Sequence, residues 1–115
     1  MIHPPTYEDG IFDLYRIKSD ESADFPEEVL EDQHMRICYK EISIFDRTRY
    51  QFDQGGIELT MKIRIPLYKY VNSKCVCIIE GKQHLVYNAA HVKDKNGFPE
   101  TELTLIRPER ELRII

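Results

Sequence analysis

The chain has 115 residues, 42% of them hydrophobic and 31% charged, with a net charge of -4. That is enough apolar material for one thin core in one domain of ordinary size. It is too polar, at a mean hydropathy of -0.48, for a membrane-embedded chain, and no apolar run approaches the roughly 20 residues that cross a bilayer. Its basic residues are dispersed, whereas strong nucleic-acid binders concentrate them on one face.

The opening Met-Ile-His-Pro-Pro lacks the basic start and apolar stretch of a secretory signal, so the chain is expected to stay where it is made. Residues 10–17, Gly-Ile-Phe-Asp-Leu-Tyr-Arg-Ile, follow a turn-like Glu-Asp-Gly and predict a first strand. Seven of the 20 acids then fall between Ser19 and Gln33, a stretch without Lys or Arg, which leaves a slight basic excess elsewhere. Within this acidic connecting segment, Pro26 to Asp32 has two readings. One is a short helix, capped by Asp24, with Pro in its first turn and acids at its positive end. The other is a solvated connection.

A second β-rich stretch runs from His34 to Ile44. The dozen residues from Phe45 to Gly56 show neither strand nor helix periodicity, and are read as a long projecting loop. They mix Phe45, Tyr50 and Phe52 with Arg47 and Arg49, residue types favoured at interfaces, and end on Gly55-Gly56. An ordinary excursion packed on the domain's own surface is the plainer alternative.

The clearest element follows. Ile57, Leu59, Met61, Ile63 and Ile65 alternate with Glu58, Thr60, Lys62 and Arg64, which predicts a strand with one buried and one polar face. Pro66 should end it. Lys74–Ile79 and Lys82–Asn88 flank Glu80-Gly81 as a hairpin, Asn96-Gly97 marks another turn, and Thr101–Ile106 alternates with Leu103 and Leu105 inward. Leu112–Ile115 reads as a short apolar edge or tail. The result is an all-β, mainly antiparallel barrel or sandwich of about six strands, with at most one short helix.

The residues predict no chemistry. Ser19, Ser22, Ser43 and Ser73 lack a nucleophile-elbow context, no His-Glu-x-x-His pair occurs, and Gly55-Gly56 is too little to cradle phosphates. His34, His84 and His91 are read as packed or surface residues. Cys38, Cys75 and Cys77 are read as reduced, semi-buried thiols without a disulfide framework. Cys75, Cys77 and His84 could converge across a hairpin, but zinc needs a fourth ligand that the pattern lacks. No enzyme activity, cofactor or metal is expected.

The order of elements carries more. A strand, a polar stretch, a strand, a long loop and an alternating strand precede the hairpin Val76-x-Ile78-x-x-Gly81-x-x-x-Leu85-x-Tyr87 and a final Leu103-x-Leu105. With Met61-Lys-Ile-Arg-Ile-Pro-Leu-Tyr68, Tyr87-Asn-Ala-Ala-His-Val92 and Asn96-Gly-Phe-Pro-Glu-Thr-Glu-Leu-Thr-Leu105, the last two-thirds of the chain resembles the head–tail joining, or head-closure, proteins of long-tailed bacteriophages. That resemblance implies a virion protein of the phage neck, assembled in the host cytoplasm as a ring of about twelve copies. The ring would sit below the portal and adaptor, close the DNA exit after packaging, and present a platform to the tail. Carried onto this chain, Asp46, Arg47, Arg49, Tyr50, Gln51 and Asp53 would line or plug the channel, touching genomic DNA transiently, with Gly55 and Gly56 as hinge. Glu58, Lys62, Arg64, Leu112, Ile114 and Ile115 are the expected subunit or partner contacts. The alternatives are an adaptor or tail-completion protein at the same junction, or a small β-barrel binding module for a protein or nucleic acid.

Overall fold

A computed structural model describes residues 3–21 and 25–115. Seven strands and one helix follow in chain order: β1 Gly10–Asp20, β2 Glu27–Ile42, α1 Asp46–Gln54, β3 Leu59–Pro66, β4 Cys75–Ile79, β5 Lys82–Lys93, β6 Pro99–Ile106 and β7 Arg113–Ile114. They form one sheet ordered β1-β4-β5-β6-β3-β2-β7, and β1 also pairs with β2. Six strands therefore close into an antiparallel barrel, and β7 adds to β2 in parallel. Closure removes the exposed edges that a small open sheet would carry.

The barrel interior is filled from every stave. Phe12 and Leu14 of β1, Tyr39 of β2, Ile63 and Ile65 of β3, Cys75 and Cys77 of β4, Val86 of β5, and Leu103 and Leu105 of β6 are all buried in one cluster. The predicted alternation of β3 holds from Met61 onward, with Ile63 and Ile65 buried in this cluster and Met61 packed against it. A register shift between Leu59 and Met61 breaks it, so Leu59 is buried outside the cluster, opposite Ile106. The strand begins two residues later than the pattern suggests and ends, as expected, on Pro66. Leu103 and Leu105 point inward as predicted. Between β4 and β5, Glu80 and Gly81 take φ values of 51° and 79°, the two left-handed residues of a tight hairpin turn. The turn at Asn96-Gly97 is held by Asp94, whose side chain accepts from the amides of Asn96 and Phe98.

Two predicted elements need correction. Pro26–Asp32 is neither a helix nor a loose connection: from Glu27 onward it is strand, paired with β1 from Asp20↔Glu27 to Tyr15↔Asp32. The proposed cap, Asp24, lies outside the described residues. Tertiary pairing overrides the local helix preference because Val29 and Leu30, neighbours that face opposite sides of the ribbon, are both fully buried. Gln33 and His34 bulge out where Leu14↔Met35 gives way to Tyr15↔Asp32, and His34 sits at φ 56° with its amide donating to Asp32 Oδ1 at 2.7 Å. Beyond this bulge the hairpin continues as an arm. The second correction is α1, which replaces the predicted loop after Phe45. Cys38 also differs from expectation: it is exposed, paired with the half-exposed Ile11 on the outer face.

Candidate assembly surfaces

The nine residues of α1 carry the expected loop positions. Asp46, Arg47, Arg49, Tyr50, Gln51 and Asp53 are all exposed, and no residue of the helix is buried. This is why no helical stripe is visible in the sequence: a stripe marks a face turned to a core, and α1 turns none. Two contacts hold it on the barrel. Arg49 donates to the Leu59 carbonyl at 2.9 Å, and the Phe52 ring meets Tyr87 of β5 edge-on, with centroids 5.0 Å apart. Gly55 ends the helix by donating to Phe52 O, and Gly56 and Ile57 close the turn onto Asp53 O and Phe52 O. Tyr50, 62% exposed, accepts from Gln54 one turn on, and Phe45 stands at 80% exposure just before the helix. Beneath α1 a cleft of about 480 Å³ is lined by Thr48, Phe52, Leu59, Lys62, Tyr87, Asn88 and Thr104.

The polar face of β3 is engaged within the chain. Glu58 pairs with Arg107 at 3.2 Å, and Lys62 with Glu102 at 3.5 Å. Arg64 reaches Glu102 at 3.0 Å and Glu100 at 3.5 Å. Glu100 is fully buried and also meets Lys40 at 3.1 Å and the Tyr7 hydroxyl at 2.7 Å. Burial and this bond to Glu100 hold the Tyr7 hydroxyl well above the usual phenol range. The segment before β1 is thereby strapped over Glu100. Asp9 reinforces it, its amide donating to Tyr39 O and its carboxylate accepting from the Glu41 amide.

Ile114 and Ile115 lie elsewhere, against the arm, and Leu112 lies beside β5. The Leu112 backbone exchanges two bonds with the Gln83 side chain, and Arg113 and Ile114 pair with Val29 and Leu30. Arg113 bridges Asp20 at 3.0 Å and Glu27 at 2.8 Å, the registered pair at the end of the hairpin. Ile114 and Ile115 remain about half exposed.

The expected residues therefore form two groups: α1 with the flank of β3, joined through Lys62 at the cleft, and the β7 residues on the arm. Sequence reasoning missed Phe25, 86% exposed at the bend of the arm, and Tyr70, 70% exposed on the β3–β4 connection. A lone aromatic within the acid run was the available sign of the first. Among the described residues, no three His, Cys, Asp or Glu side chains come together as a metal site. His84 and Cys77 are registered partners, but Cys77 belongs to the core while the His84 imidazole bonds to Thr60. No protein-family model matches the chain, and no curated protein matches it.

Proposed function

We propose that this chain is a non-enzymatic structural protein of the bacteriophage neck, a ring component that closes the DNA exit below the portal and adaptor and receives the tail. The observation that carries the reading is α1. A nine-residue helix is marginal by itself, and this one gains little from burial on its own barrel. It stands in the β2–β3 connection, where the resemblance to head-closure proteins puts the channel element. It presents Asp46, Arg47, Tyr50, Gln51 and Asp53 outward, with Gly55 and Gly56 at its base. A closed barrel is a suitable rigid mount for such an element, and two aromatic side chains exposed beside it, Phe45 and Tyr50, favour a partner surface.

The test uses Arg47→Ala with Tyr50→Ala and spares Arg49, which the Leu59 carbonyl engages. The double variant keeps the wild-type melting temperature, while phage particles assembled with it leak DNA from filled heads or fail to join tails. Infectious particles in normal yield would sink the reading. Imaging of the wild-type neck separates head closure from the adaptor and tail-completion alternatives by the layer that the barrel occupies.

A further inference from the structure

The geometry points to a contact between copies of this chain in which the tip of the arm docks on the base of a neighbour's arm. The tip carries Phe25, 86% exposed, and the exposed acids Glu21 and Glu28, which make no ion pair among the described residues. The base carries the opposite charge. There Arg16 donates to the Tyr70 carbonyl at 3.0 Å and the Ile17 amide donates to the Lys74 carbonyl at 2.8 Å, which gathers Arg16, Lys69, Tyr70 and Lys74. Lys69 and Lys74 are exposed and make no ion pair among the described residues, and Tyr70 is 70% exposed with its ring edge-on to Tyr68 at 5.6 Å. Each surface thus offers one aromatic side chain framed by exposed charge, negative at the tip and positive at the base.

The chain's own tip and base are kept apart. The tip pair Asp20↔Glu27 lies three residues beyond Ile17, roughly 10 Å along the strand. Arg113 and the β7 pairing stiffen the ribbon, so it does not fold back on itself. A second copy supplies the complement, and a paired strand ribbon behind the tip loses little freedom on docking. The surfaces are unlike, so the contact repeats from copy to copy and closes where the rotation allows. The inference deepens the ring reading and rests on its claim that copies associate, though not on the neck.

Phe25→Cys with Tyr70→Cys, in a Cys38→Ser background, is oxidised at low ionic strength and compared with Phe25→Cys with Lys95→Cys. The expected product is a ladder beyond the dimer, about tenfold over the control and suppressed by salt. A yield no higher than the control, or one that stops at the dimer, overturns the contact. Charge reversal identifies the occupant. Glu21→Lys with Glu28→Lys, and separately Lys69→Glu with Lys74→Glu, each abolish the ladder, and combining all four reversals restores it. If the fourfold variant stays inactive, the basic base serves another partner, such as a nucleic acid, and the proposal falls. Particle assembly is scored separately: a ladder without incorporation into particles removes the neck reading alone.

Discussion

Thr60 and His84 share a hydrogen bond that fixes the imidazole tautomer. Thr60 Oγ1 gives its single proton to the Leu105 carbonyl at 3.1 Å, so at 2.9 Å from His84 Nδ1 it must act as acceptor, and Nδ1 carries the proton. Burial, with Lys82 nearby, lowers the His84 pKa, so the fold favours the neutral ring. The stabilisation is complete above the unfolded-state value of about 6.5 and is lost as pH falls from there through the lower folded-state value. His84→Asn keeps a donor for Thr60 without titrating. Urea midpoints across mildly acidic pH are expected to fall less steeply in this variant than in the wild type.

Glu100→Ala tests the buried carboxylate under the strap. It leaves Lys40 and Arg64, each about one-quarter exposed, without their buried partner. The expected loss of unfolding free energy is about 3 kcal/mol, measured by urea denaturation. Glu102→Ala, whose side chain is 18% exposed against 0% for Glu100, costs less, because the group removed is less desolvated and Arg64 keeps Glu100 as a partner.

A side chain at position 10 has no room. A Cβ on Gly10 would run into the Tyr39 ring, which is buried and lies 6.2 Å from Phe12 between centroids. Gly10→Ala must displace that ring or the strap joined to it, at a cost of about 1–3 kcal/mol. Chemical denaturation gives the number, and an unchanged midpoint would contradict the packing described for β1.

Phe52→Ala separates the helix from the barrel. Losing the edge-on contact with Tyr87 costs about 1 kcal/mol beyond the area uncovered. The effect is local: amides of Asp46–Gln54 exchange far faster, while those of β5 and β6 keep their protection.

Arg113→Ala acts on the arm. Without its bonds to Asp20 and Glu27 the tip frays, and the amides of Ser19 and Glu28 exchange faster with little change in melting temperature. An arm as protected as in the wild type would show that β7 pairing alone secures it.

The sequence is legible where the structure is local. The period of β3 from Met61 onward, the Glu80-Gly81 turn and the inward Leu103 and Leu105 each follow from a few adjacent residues, and each is found in place. The arm was hidden because its partners are β1 and the chain's far end. Nothing between Pro26 and Asp32 reveals that Arg113 and Ile114 lie beside Val29 and Leu30. The helix was hidden for the opposite reason, having no buried face to print a period. Glu100 stands in the sequence as one more acid between the Asn96-Gly97 turn and the strand predicted from Thr101. Only the strap, more than 90 residues away in sequence at Tyr7, makes it an interior group.

Within the closed ring, β4 is the narrowest stave. It spans five residues and is stitched to β1 and to β5 by four registered pairs on each side. It also carries Cys75 and Cys77, both fully buried, with burial pushing the Cys77 thiol far above its ordinary range. A thiol reagent therefore reaches this pair only when the stave parts from its neighbours. The two sulfurs amount to a clock set inside the wall, and their labelling rate reads how often the barrel breathes.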